Sequence, residues 1–128
     1  MRRFLLDTSV LIREWRHDPH AVALIRELRT AGLCYVSAIT RFEMLVGAGE
    51  RTVRDTLRFV DRFGTIDIDS GTADRAGRLG WTHRATHNRK TADLLVAATA
   101  IQHRLILVTY NSDDFPMPQL RLYPVPKV

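Results

Sequence analysis

Phe4-Leu5-Leu6-Asp7-Thr8-Ser9-Val10-Leu11-Ile12 is an apolar run cut by one carboxylate and followed at once by a second apolar stretch. Residues 3–6 read as a buried strand, and a short helix follows through Val10, Leu11 and Trp15. Asp7 therefore falls at the carboxyl end of a strand, the edge along which open parallel sheets build their sites.

The alternation continues to the end of the chain. Asp18-Pro19 starts a second helix, with Asp as N-cap and Pro at the first helical position. Its apolar positions Ala21, Leu24, Ile25 and Leu28 keep helical spacing. Residues 34–37 form a second strand, and Ile39, Phe42, Leu45 and Val46 mark a third helix, which carries Glu43. A fourth helix over residues 52–63 is expected to bury Val53, Leu57 and Val60. Residues 66–68 make a short third strand, and Ser70 and Thr72 open a helix with the small-residue stripe Ala73, Ala76, Gly77 and Gly80. Thr91 is placed to cap the next helix, with Asp93 in its first turn. Residues 105–108 are a fourth strand, residues 109–115 the loop after it, and residues 120–123 an edge strand. Strands alternating with helices define an α/β domain with a central, mostly parallel β-sheet flanked by α-helices.

At 128 residues the chain suits one domain over residues 1–128. Hydrophobic residues at 45% and charged residues at 26% exclude a disordered chain and a membrane protein by composition. The N-terminal apolar run is too short for a signal-peptide core, which points to the cytoplasm. Cys34 is the single cysteine, so no internal disulfide and no cysteine-based zinc site can form, and its apolar surroundings place it in the core. The net charge of +5 comes from arginine, since Lys90 and Lys127 are the only lysines. Between Arg75 and Lys90 the chain carries Arg75, Arg78, Arg84 and Arg89 with His83 and His87, and no acid appears before Asp93. This stretch is either a solvated face or a phosphate-binding surface, for which Arg84, Arg89 and Lys90 are the candidates.

Asp7, Glu43, Asp93 and the Asp113-Asp114 pair each stand beside an apolar segment. Taken singly, each has a structural reading: a helix cap for Asp7, a solvent-facing charge for Glu43, a partner for the helix dipole for Asp93, loop charges for the pair. Taken together they are expected to converge at one crevice edge, where clustered carboxylates need a cation to offset their repulsion. Oxygen ligands without paired Cys or a His-x-x-x-His arrangement favour Mg²⁺ or Mn²⁺ over zinc. Such a cation on a basic protein suits phosphodiester hydrolysis, hence a nuclease. A haloacid-dehalogenase-type phosphatase would want Asp where Ser9 stands, a receiver domain would want paired acids near its start and a strand-end Lys, and no Gly-rich phosphate loop is present.

These segments, in this order, resemble a PIN-domain ribonuclease, and more closely the VapC toxins of toxin–antitoxin pairs. The carriers are Leu6-Asp7-Thr8-Ser9-Val10-Leu11-Ile12, Ile39-Thr40-Arg41-Phe42-Glu43 with Gly47, Ala92-Asp93-Leu94-Leu95-Val96-Ala97-Ala98, and Val108-Thr109-Tyr110-Asn111-Ser112-Asp113-Asp114-Phe115. Their order and spacing, more than any one of them, carry the resemblance. It implies a PIN-like fold, with Asp7, Glu43 and Asp93 as the core metal-binding and catalytic acids and Asp114 as the fourth. Asp113 remains the alternative for that fourth position. Thr8, Ser9, Thr109 and Asn111 would support these acids. The resemblance further implies Mg²⁺- or Mn²⁺-dependent endoribonuclease activity on structured RNA such as tRNA or ribosomal RNA, and inhibition of translation. It also implies a VapB-like antitoxin and a homodimer as partners. Leu11, Trp15, Leu24 and Leu28 are candidates to shape the antitoxin groove, although each alone reads as plain core. A PIN-like module that binds RNA or a partner without cutting is the alternative function.

Overall fold

The computed structural model describes residues 1–50, 52–85 and 90–126. The chain runs β1 (Arg2–Leu6), α1 (Thr8–Trp15), α2 (Pro19–Ala31), β2 (Gly32–Ser37), α3 (Ala38–Val46) and α4 (Val53–Val60). It continues through β3 (Gly64–Ile66), α5 (Ser70–Thr82), α6 (Thr91–His103), β4 (Ile106–Val108) and β5 (Arg121–Leu122). The five strands form one sheet in the order β3-β2-β1-β4-β5, and every neighbouring pair is parallel. From β1 the chain winds outward to β2 and β3, then crosses back to place β4 on the other side of β1. The reversal of winding between β1 and β4 opens a crevice beyond their carboxyl ends, and that crevice holds Asp7 and Thr109.

The alternation of a strand's side chains sends Phe4 and Leu6 to one face of the sheet and Leu5 to the other. On the first face Phe4, Leu6, Ile106 and Val108 pack with Leu11, Leu24 and Leu28 from α1 and α2. On the second, Leu5 and Leu107 pack with Ala76 of α5 and Val96 and Ala97 of α6. Both strands of the central pair are thus covered twice, which explains why they read as unbroken apolar runs. Leu11 and Leu28 are completely buried in this core, whereas Leu24, also packed there, lines a surface pocket with Pro19, Tyr110 and Val125. Trp15 is partly buried at the edge of the core.

Local signals decide most helix starts. Asp18 caps α2, its Oδ1 accepting from the His20 N–H at 3.0 Å, with Pro19 at the first helical position. Asp69 caps α5 through the Thr72 N–H at 2.9 Å, one residue ahead of Ser70. Thr91 does not cap α6: Lys90 occupies that position without a side-chain bond, and Thr91 is the first helical residue.

The buried faces of three helices differ from what their apolar or small residues suggest. In α3 the buried residues are Thr40 and Met44, whereas Phe42 and Val46 are 59% and 71% exposed. In α4 Val60 and Thr56 are buried and Val53 is exposed. Of the small residues in α5, Ala76 and Gly80 face inward and Ala73 and Gly77 outward; a Cβ on Gly80 would come within 3.0 Å of Leu94 in α6, so glycine permits this close helix contact. Strand β3 also begins earlier than expected, at Gly64, because its register against β2 pairs Tyr35 with Gly64 and Ser37 with Ile66.

Candidate metal centre

Asp7 occupies the N-cap position of α1 but its side chain makes no cap bond. Its Oδ2 instead accepts the Ser9 hydroxyl at 2.8 Å and the Thr109 hydroxyl at 2.7 Å. The Ser9 oxygen in turn accepts the Tyr110 N–H at 3.1 Å, and the Thr109 oxygen accepts the Asn111 N–H at 2.9 Å. With a backbone N–H on its oxygen, each hydroxyl directs its single proton to the carboxylate. Asp7 itself is only 5% exposed, and the Asp7 N–H donates to Val108 O at 2.9 Å. The β1–α1 junction and the loop after β4 are therefore stitched together around one carboxylate oxygen.

Glu43 reaches the same region from the middle of α3. Thr8 Oγ1 donates to Glu43 Oε1 at 2.7 Å and lies 2.9 Å from the fully buried Thr40 hydroxyl. Thr40 precedes Glu43 by three residues, so both project from one side of α3 toward Thr8. Thr40 is a supporting group that polarity alone concealed; its i,i+3 spacing to Glu43 was the available signal.

Asp93 lies in the first turn of α6, where a helix dipole favours negative charge. Its carboxyl is nevertheless pushed up to about 6, first by burial and then by the charges of Asp7 and Asp114, with Glu43 adding and Lys90 opposing. Its Oδ2 is buried and has no hydrogen-bond partner. Buried carboxylate oxygens are normally paired, so this one marks a position where a cation fits. Asp114, in a single 3₁₀ turn at Ser112–Asp114, is among the charges acting on Asp93, while its neighbour Asp113 is exposed and is not. Of the two adjacent acids, Asp114 is the one whose charge acts on Asp93.

The four acids are thus gathered electrostatically, although among the described residues no three His, Cys, Asp or Glu side chains stand close enough to hold an ion as they are. The unpartnered Asp93 oxygen, the all-carboxylate donor set and the mutual repulsion together fit a hard divalent cation. Asn111 contributes its backbone N–H; its side chain is exposed. Arg84 is exposed and stacks 3.8 Å over the Trp81 ring, Lys90 stands at the start of α6 near Asp93, and Arg89 lies outside the described residues. Cys34, expected in the core, is only partly buried at its edge, and burial pushes its thiol up to about 11, away from the range of reactive thiols.

A carboxyl whose pKa is higher folded than unfolded binds its proton more tightly in the folded chain. Stability that Asp93 contributes is therefore present below its ordinary value of 3.8 and declines as pH rises toward about 6. Asp93→Asn is expected to remove that decline. In metal-free buffer the melting temperature of the variant should exceed that of the parent at neutral pH, with the gap closing toward pH 4. A gap that is constant with pH would show that Asp93 is not strained by its neighbours.

Known proteins resemble this chain in sequence and in fold. The PIN domain family model matches residues 4–117. Ribonuclease VapC19 of Mycobacterium tuberculosis is 32% identical over 115 residues, covering 88% of this chain and 92% of that protein. The chain therefore belongs to the PIN-domain family and, within it, to the VapC-type ribonucleases. Among solved structures, a toxin–antitoxin complex from Klebsiella pneumoniae superposes with a TM-score of 0.75 at 29% identity, covering 91% of this chain and 94% of that one. VapBC2 from Rickettsia felis, bound to a DNA fragment from its promoter, has a TM-score of 0.80 over 94% of this chain and 97% of its own. At 21% identity that second likeness speaks for the fold alone.

Proposed function

We propose that this chain is the toxin of a type II toxin–antitoxin pair, a Mg²⁺- or Mn²⁺-dependent endoribonuclease that cuts structured RNA such as tRNA or ribosomal RNA and so inhibits translation. The observation that carries the reading is the buried, unpartnered Oδ2 of Asp93 among three further acids. Asp7 and Asp93 are the principal metal ligands, Glu43 is a ligand or the base that orients water, and Asp114 binds directly or through water. When bound, a divalent cation supplies charge neutralisation and Lewis acidity toward a phosphate oxygen and an attacking water. The protein's own part is to hold the acids in place. Ser9 and Thr109 aim Asp7, and Thr8 aims Glu43, before substrate arrives.

A VapB-like antitoxin and a second copy of the chain are the expected protein partners, supported by the likeness to toxin–antitoxin complexes. Exposed Phe42, Val46 and Val53 on α3 and α4 offer apolar surface for such contacts. No helix among the described residues is long and apolar enough to cross a membrane, and we place the activity in the cytoplasm.

Incubating purified parent protein and Asp7→Asn with total tRNA and ribosomal RNA in Mg²⁺ tests the reading. Discrete internal ends are expected from the parent alone. RNA that is retained but never cut, in either metal, would favour the binding-module alternative. Neutralising Arg84 and Lys90 together is expected to weaken RNA binding across sequences and to flatten the plot of log affinity against log salt by about one for each phosphate no longer neutralised. An unchanged slope would return these residues to a solvated surface.

A further inference from the structure

Beside Glu43, between α1, α3 and α4, lies a cavity of about 170 Å³ lined by Ile12, Trp15, Arg16, Glu43, Met44 and Thr56, with the Gly47-Ala48 turn at its edge. Its walls are held before any ligand arrives. The Trp15 ring meets Phe59 edge-on at 4.2 Å between centroids. Arg62 lies 4.1 Å over that same Phe59 ring and bonds both oxygens of Glu14, one of them at 2.9 Å. These contacts tie α1 to α4 beside Trp15, one wall of the cavity.

We propose that this cavity takes one unpaired nucleobase of the RNA, from a nucleotide adjacent to the scissile phosphate, and thereby selects the sequence that is cut. The inference rests on the ribonuclease reading of the acid cluster. Glu43 lines the cavity and belongs to the cluster as well, so an occupant continuous with the reacting phosphate reaches both. An indole and a guanidinium are the groups on which unstacked RNA bases settle, and Ile12 and Met44 add apolar wall. Glu43 and Thr56 bring acceptor oxygens for the amino edges of a base. The volume suits one planar group rather than the face of a helix.

Two variants test this: Ala48→Leu, which fills the cavity from the turn, and Trp15→Phe, which keeps an aromatic contact with Phe59 but shrinks the platform. Thermal unfolding identifies which variants are folded, and either one suffices for the comparison. Binding of a short, end-labelled single-stranded RNA is measured by anisotropy in chelator, and RNA ends are sequenced after digestion in Mg²⁺. Ala48→Leu is expected to bind about tenfold more weakly, the scale of one base–aromatic stack, and Trp15→Phe several-fold more weakly. The base preference beside the cut should fade in both. Parent-like binding and an unchanged end pattern would overturn the proposal and leave the cavity to a polypeptide side chain. If the parent binds RNA but cuts none, the ribonuclease reading fails, while the binding comparison still decides whether the cavity holds a base.

Discussion

Asp93→Asn is expected to lose RNA cleavage in Mg²⁺ or Mn²⁺ by more than about a hundredfold, beyond what loss of an outer-shell partner typically costs a metal site. The amide nearly matches the carboxylate in shape, so packing at the first turn of α6 is preserved. What disappears is the charge that burial and the charges of Asp7 and Asp114 disfavour in the absence of a cation. The same substitution is therefore expected to stabilise the metal-free protein at neutral pH while abolishing activity. That opposition separates a functional acid from a structural one, because loss of a structural acid would lower both. Calorimetric titration of Mn²⁺ into parent and variant checks it: heat of binding in the parent and none in Asp93→Asn is the expected pair. Equal affinities would remove Asp93 from the site.

Thr109→Val should have the next largest effect. Valine fills the same volume at this buried position but cannot donate to Asp7 Oδ2 or accept the Asn111 N–H. Asp7 then keeps Ser9 as its one hydroxyl donor to Oδ2, and the loop after β4 loses a tie to β1. Activity and metal affinity are expected to fall about 10–100-fold, the usual cost of losing a group that orients a ligand. Thr109→Ser, which restores the hydroxyl, should recover most of the loss. Failure of that rescue would mean that Thr109 acts through packing of its methyl group and not by aiming Asp7.

How much of this was legible in the sequence depended on how local each cause was. Asp18-Pro19 and the spacing of Ala21, Leu24, Ile25 and Leu28 contain everything needed to start α2 and to orient it. The order of the strands was less accessible, because the alternation of strands and helices indicates a mostly parallel sheet without saying which strands are neighbours. Helix α3 misled because it is apolar on more than one side. Ile39, Phe42 and Val46 form a stripe, but the buried side is that of Thr40 and Met44, chosen by the Thr8 hydroxyl arriving from α1 and by the apolar core beneath Met44. No property of α3 alone contains that choice.

The candidate site divides in the same way. The four acids could be named from the apolar segments beside which they stand and from the family resemblance, but their states could not. Asp93 looked like a partner for its own helix dipole, and only the fold buries it and brings Asp7, Asp114 and Glu43 near enough to turn a favourable position into a strained one. The bonds that orient Asp7 span about a hundred residues of chain, from Ser9 to Tyr110 and from Asp7 to Thr109, and they exist because β1 and β4 are neighbours. The cavity beside Glu43 was invisible for a similar reason, since its walls come from three helices and one turn.

The measurement that bears most directly on the central claim is sequencing of RNA ends after parent protein meets a defined pool of tRNA and ribosomal RNA, in Mg²⁺ and in chelator side by side. Discrete internal ends that form in Mg²⁺, vanish in chelator and are missing with Asp93→Asn are the expected result. Ends that form equally in chelator, or that persist with Asp93→Asn, would contradict a metal-dependent ribonuclease built on these four acids.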